Sequence, residues 1–323
     1  MAKKFESINE AQLGFALKLL RSQNLDDKST VFSPVSIAAS MALDVLAEGF
    51  IESEIHSYFT NLIERTKNEY GVKVQPQGEE FDEYSNPYTS ACVLETYNQI
   101  YFDDDVLLKD NFVEKFNNFY QGEIQKVDFL PAETVEKVNN FIAEATRNKI
   151  NDIVGKDTFD EDTKIVLINA IYFKGKWSHC FPDSKTKDAN FYSAAGKIKK
   201  AKMMEHYSNK RRYSETNKFQ FLSLPYQFCD LSMKIILPRE RFGLADIVKN
   251  LTSAELLKHL SKNKEVEVII KMPRFEVKTQ FPVEETFKNM GIRDVFEENA
   301  DLERISAIKP LFISSVLHSA FIC

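Results

Sequence analysis

The sequence predicts an α+β fold, and three observations predict it. Helical patterns crowd the first half of the chain and strand patterns the second, without the βαβ alternation that a doubly wound sheet requires. The run Lys164–Trp177, "KIVLINAIYFKGKW", is unbroken, apolar and rich in β-branched and aromatic residues, so it reads as a central strand buried on both faces. The segment that opens at Pro34, "PVSIAASMALDVLAEG", is apolar or small on every side, which is the mark of a buried helix.

The remaining elements follow in order. "NEAQLGFALKLLRSQ" places Leu13, Leu17 and Leu20 at helical spacing, with Lys18 among them, and predicts an N-terminal amphipathic helix. Val31 and Phe32 read as a short strand. Ser33 is a good N-cap for the buried helix, and Pro34 sits at its first position, where the missing N–H costs nothing. Tyr70–Pro87, with two prolines, two glycines and an acidic cluster, reads as a long exposed loop. "ACVLETYNQIYF" is strand-like and "KDNFVEKFNNFY" helical. Pro131 opens a helix that carries Val135, Val138, Ile142 and Ala145 on one face. "LSMKIILP" and "EVEVIIKMPRFEVK" are strands, the second broken at Pro273. "LADIVKNLTSAELLKHL" and "PVEETFKNMG" are helical, the latter stopped by Gly291.

Composition narrows the function. A chain of 323 residues with 26 Phe and only 10 Gly can bury large aromatic cores and is no linker-rich or solenoid sequence. The net charge of −6, from 42 basic and 48 acidic side chains, gives no global drive toward nucleic acid. No run approaches the ~20 apolar residues of a membrane helix. The start, "MAKKFESINE", has no apolar signal-peptide core, which predicts a cytoplasmic protein whose Cys92, Cys180, Cys229 and Cys323 are reduced. Two disulfides, and use of the sequon Asn250–Leu251–Thr252, belong to the alternative of a secreted protein.

Chemistry-bearing motifs are scarce. No phosphate loop, nucleophile elbow or dinucleotide glycine cluster occurs. The five histidines, His56, His179, His206, His259 and His318, never take ligand spacing, so neither a metal nor another cofactor is expected. Asp103–Asp105 are adjacent acids in a turn and cannot all face one centre. One basic run stands out: Lys197, Lys199, Lys200, Lys202, Lys210, Arg211 and Arg212. Alternation puts Lys200 and Lys202 on one strand face. Two readings stand for Lys200, Lys202, Lys210, Arg211 and Arg212: a patch for a polyanion such as a glycosaminoglycan, or a charged edge strand that resists aggregation. The residue chemistry by itself points to a soluble protein that is not an enzyme.

Several long blocks carry a resemblance. "VFSPVSIAASMALDVLAEG" resembles the helix B signature of the serpins. "VNNFIAEATRNKINDIV" and "TKIVLINAIYFKGKWSHCF" look like serpin helix F and the central strand of the main sheet. "MMEHYSNKRRYSE", "LPYQFCDLSMKIILP" and "MPRFEVKTQFPVEETFKNMGIRDVF" match later serpin blocks in order, and "LFISSVLHSAFI" looks like the strand that leads into the reactive loop. The chain is identified as a member of that family over nearly all of Phe5–Cys323. Phe50–Ile51 after Gly49 departs from it.

The resemblance implies N-terminal helices packed on a large mixed main sheet with further smaller sheets, all in one serpin domain over residues 1–323. It implies a suicide-substrate inhibitor whose partner is a serine or cysteine protease, with no nucleic acid and no membrane. Many serpins are extracellular, which keeps that location open. By comparison, the sequence stops before the reactive-centre loop and the last strands, so the expectation is a truncated, non-inhibitory form that exposes Leu231–Leu237 and self-associates. A loop-less binding protein and a weak polyanion binder are the alternatives. Ser33, Pro34 and Ser36 match the serpin shutter, with Asn169 and His318 as its polar pair. Trp177 and Arg274 match the breach, where the loop enters. Each has a plain alternative: Ser33 as a cap, Trp177 as core, His318 as a satisfied core histidine.

Overall fold

Helix α1 spans Ala2–Arg21 in the computed structural model, which describes residues 2–23, 28–48, 60–61, 92–120, 123–262 and 264–323. The predicted loop Tyr70–Pro87 and the pair Phe50–Ile51 lie outside these residues. Helix α1 buries Leu17 and Leu19, while Leu13 and Leu20 are only half-buried and Lys18 is exposed. The buried face is therefore turned from the predicted one, because α1 meets two neighbours. Leu17 joins a cluster with Phe219, Ile247 and Leu251, and Leu19 joins the core beneath the main sheet.

Helix α2 (Pro34–Glu48) starts as expected, with Ser33 Oγ accepting the backbone N–H of Ser36 at 3.2 Å. Val31 and Phe32 are not a strand. The Val31 N–H donates to the Thr279 hydroxyl at 3.0 Å, so a side chain meets the need that a ladder would otherwise fill.

The main sheet takes its strands from distant parts of the chain. They are β1 (Cys92–Asp103), β2 (Glu123–Val127), β3 (Ile165–Gly175), β9 (Val277–Phe281) and β10 (Ser315–Ile322), in the order β2-β1-β3-β10-β9. β1 is antiparallel to β3, β10 is antiparallel to β9, and β3 and β10 run parallel. Strand period sorts the side chains of β3 onto two faces. Ile165 and Leu167 pack with Ile37 of α2 and with Phe102, Phe281 and Val316. Val166, Ile168, Ala170 and Tyr172 pack on the other face with Val138 and Ile142 of α4 (Ala132–Ala145). β3 is thus covered on both sides, which is why its sequence shows no alternation. Helix α3 (Asp110–Tyr120) adds Phe112 and Phe116 to the first core.

A second sheet holds β4 (Lys187–Ala194), the long β5 (Lys197–Glu215), β6 (Phe219–Pro225) and β7 (Ser232–Pro238), and β8 (Glu265–Pro273) pairs with β5. The sequence reading did not resolve β2, β4 or β6 as separate strands. Pro273 is the expected break, and it is where the chain changes sheet. β8 ends there, the Arg274 N–H donates to the Lys202 carbonyl at 2.8 Å, and β9 begins in the main sheet. Helices α5 (Leu244–Asn250) and α6 (Ser253–Leu260) flank α1, and α7 (Val283–Asn289) precedes Gly291, whose φ of +92° suits a residue without Cβ. Leu237 of β7 and Ile269 of β8 are exposed.

Gly175 joins the two sheets. A Cβ there would stand 2.5 Å from Cδ1 of Tyr226. That ring is already stacked on Trp177 at 4.7 Å and set edge-on to Phe173 at 4.9 Å, so it has nowhere to go. We expect Gly175→Ala to lower stability by roughly 1–3 kcal/mol through overpacking. Urea denaturation checks this; an unchanged midpoint would show that Tyr226 yields freely.

Candidate functional site

One row of the main sheet carries the polar residues of the candidate site. In register, Asn98 of β1 faces Asn169 of β3, Asn169 faces His318 of β10, and His318 faces Phe281 of β9. His318 and Asn169 are almost wholly enclosed, at 0% and 1% exposure. Within a core, each polar atom needs a partner.

The partners fall in sequence along the row. The Ser33 N–H donates to His318 Nε2 at 3.0 Å. Nε2 is therefore unprotonated, and the ring proton is on Nδ1, which donates to Asn169 Oδ1. The Asn169 amide donates in turn to Asn98 Oδ1, with the Tyr97 carbonyl at 3.5 Å. Burial pushes the His318 imidazole down to about 3, so it is neutral at physiological pH. The Ser33 N–H is the orphan donor of a helix N-cap, and the histidine satisfies it. Ser33 Oγ also donates to Ser36 Oγ at 2.9 Å, and Pro34 continues the turn without an N–H. The five residues Ser33, Pro34, Ser36, Asn169 and His318 are thereby brought to one place, where α2 begins under the β3–β10 seam. Asn98 belongs to the same chain of bonds and was missed by the sequence reading. Its position on β1 carries no signal of its own, because the register that sets it against Asn169 spans 71 residues.

Trp177 lies beyond the end of β3, bridged to Tyr226 and stacked on it with an interplanar angle of 14°. Arg274 touches this end of the molecule through its backbone bond to Lys202. The four cysteines are free thiols. Cys92, hydrogen-bonded to Cys229, is pushed up to about 12, chiefly by burial.

The basic run does not form one patch. Lys200 and Lys202 are exposed on β5, but Lys202 pairs with Asp188 at 3.0 Å. Lys210 lies within a register shift between Ser208 and Arg211 and Arg212 just past it, some ten residues and ~33 Å of strand further along. Arg211 is buried, so it is no part of a surface patch: the shift turns its side chain inward. Among the described residues no group of three or more His, Cys, Asp or Glu is placed to hold a metal, and no helix is long and apolar enough to cross a membrane.

Comparison with known proteins decides the family. The model described as Serpin (serine protease inhibitor) matches residues 10–323. The chain belongs to the serpin family. This serpin is 32% identical to the leukocyte elastase inhibitor of Bos taurus over 343 residues, covering 98% of this chain and 85% of the relative. It is 29% identical to Serpin B3 of Homo sapiens over 332 residues, again covering 98% and 85%. In fold it is similar to uncleaved ovalbumin, with a TM-score of 0.83 at 20% identity over 98% of this chain and 88% of that one. A tumour-suppressing serpin gives 0.81 at 23% identity, covering 97% and 87%.

Two outcomes follow from the polar row. Asn169→Ala and His318→Ala should each cost roughly 1–3 kcal/mol, and their effects should be non-additive in a double-mutant cycle, since each leaves the other without its partner. Additive losses would uncouple the pair. In the unfolded chain the His318 imidazole titrates near its ordinary ~6.5, whereas the folded state refuses the proton down to about 3. Its contribution is therefore complete above ~6.5 and falls as pH drops through that window. Between pH 7.5 and 5.0 the serpin should lose about 2 kcal/mol more than His318→Gln in urea titrations. Equal losses would place the acid sensitivity elsewhere.

Proposed function

We propose that this serpin is the body of a serine-type endopeptidase inhibitor that works as a suicide substrate. The observation that carries the reading is the β3–β10 seam. These two central strands are paired in parallel over Val166–Phe173 and Ser315–Ile322, and each has an antiparallel neighbour on its outer side. A segment that follows β10 and turns back between the two would run antiparallel to both. It would replace one slanted parallel ladder with two antiparallel ones, which are slightly more stable per residue. Inserting a strand there is the energetic step that a serpin mechanism needs.

The polar row suits the seam to opening. The His318–Asn169 bond crosses it, and the Ser33 N–H holds the histidine from below. Separating β3 from β10 breaks the ladder, the His318–Asn169 bond and the Tyr172–Phe321 stack, while α2 and α4 stay on the two faces of β3. On this reading Ser33, Pro34, Ser36, Asn169 and His318 form the shutter, and Trp177, stacked above the end of β3, marks the breach. The covalent chemistry belongs to the protease. Its nucleophile attacks a bait peptide bond, the amine leaves, and an acyl-enzyme forms. Strand insertion then carries the acylated protease along and distorts its site. The name of the bovine relative, an inhibitor of leukocyte elastase, supports a serine protease as partner.

The test uses two polypeptides incubated with an elastase-type serine protease and resolved by denaturing electrophoresis. Residues 1–323 alone are expected to give no covalent adduct, because on this reading the bait follows β10. The same residues continued by the reactive loop and terminal strands of a full-length serpin are expected to give an adduct at the summed mass. Clean cleavage of the longer chain without an adduct would show that the β3–β10 seam does not open.

A further inference from the structure

Arg211 is the buried member of the basic run, at 7% exposure. Its Nη1 donates to the neighbouring Lys210 carbonyl at 2.7 Å, and its enclosed Nε–H finds no acceptor. A guanidinium offers five N–H donors and accepts nothing, so a buried one requires negative charge nearby. Among the described residues no salt bridge supplies it. Glu205, close by in sequence, is engaged with Lys271 of β8 at 3.0 Å.

Arg211 lines a small cavity between β5, β6, β8 and the segment after β3. Trp177, His179, His206 and Ile270 share its wall. The two imidazoles stand 6.3 Å apart, and Ser178 Oγ lies 2.9 Å from His179 Nδ1. His206 bonds the Cys180 backbone, and its pKa is lowered first by burial and then by Arg211, His179 and Lys185. The charged groups acting on His206 are thus all cations or potential cations. The cavity measures about 10 Å³, room for one water-sized sphere.

We propose that this cavity is a binding site for a single chloride-sized anion, held by Arg211 through charge-assisted hydrogen bonds and flanked by His206 and His179. The size argues for a monatomic ion, since about 10 Å³ suits one water-sized sphere better than a tetrahedral oxyanion. The charge argues for an anion, since every ionisable neighbour of Arg211 in the cavity is basic. Trp177 and Ile270 supply apolar walls, and the exposed His179 leaves an anion a way in from solvent. The site lies next to the Trp177–Tyr226 stack, so its occupant would brace the junction of the two sheets.

The test is thermal unfolding at fixed pH and ionic strength, with sodium gluconate replaced stepwise by sodium chloride, bromide or sulfate. Chloride and bromide should raise the Tm along a saturating curve that Arg211→Met lacks, whereas sulfate, which stabilises folded proteins by exclusion from their surface, should act equally on both chains. Arg211→Met keeps length and apolar bulk. It should unfold at a higher temperature than the natural chain in gluconate, where the charge is unpaired, and should show no halide response. A purely structural arginine would instead cost the same stability in every salt. Crystals of the unaltered chain soaked in bromide should give an anomalous peak within hydrogen-bonding distance of the Arg211 guanidinium. That measurement stands even if the variant fails to fold. Equal Tm in gluconate and chloride, an unchanged halide response in Arg211→Met, or a cavity empty of bromide would each overturn the assignment.

Discussion

A buried imidazole must be neutral and must spend both of its nitrogens, and much of this molecule is arranged around that constraint at His318. Nε2 is free to accept only because Nδ1 holds the proton, and Nδ1 holds it only because Asn169 Oδ1 is there to accept. The same constraint fixes the start of α2, since the amide that Nε2 accepts is the Ser33 N-cap. It also fixes the register of three strands, because a shift of one residue in β1, β3 or β10 would turn Asn98, Asn169 or His318 to the opposite face. One row of side chains therefore ties a helix start to the centre of a sheet and leaves little freedom to either.

The row crosses the parallel contact between β3 and β10 at the centre of the sheet. β3 is packed on both faces, by α2 on one and α4 on the other, and is paired with β1 along its outer side. β10 is bound on one side to β3 and on the other to β9 over Val277–Phe281. On the proposed reading, opening separates the pair β10–β9 from the pair β3–β1. The contacts that resist it are the parallel ladder, the Asn169–His318 bond, and the stack of Tyr172 on Phe321 at 5.4 Å.

The two sheets meet at a second tight point. Gly175 lets Tyr226 lie against the end of β3, and Trp177 covers the tyrosine. Cys92, hydrogen-bonded to Cys229, brings the start of β1 and the turn after β6 to the same place, since Cys92 pairs with Gly175 in register. The ring–ring contacts and the missing Cβ make this junction stiff. The buried Arg211 lies close by, at the far side of Trp177.

The sequence by itself determined the elements whose signal is local. The buried α2 with its Ser33–Pro34 start, the two-faced strand β3, the helix after Pro131 and the stop at Gly291 are all written in short contiguous runs, where propensity and period act. The residue types of the candidate site were legible too, because a histidine and an asparagine inside apolar strands demand partners. Tertiary structure decided which partners they found. Asn98 joined the row through a register that no local pattern encodes. Arg211 was read with its exposed neighbours because charge and alternation look the same on either face of a strand. A register shift near Ser208 then turned it inward. Val31 and Phe32 have strand-like side chains, but the backbone there found the Thr279 hydroxyl instead of a neighbouring strand. Local sequence sets what a segment prefers; which face is buried depends on segments far away along the chain, and only the folded chain brings them together.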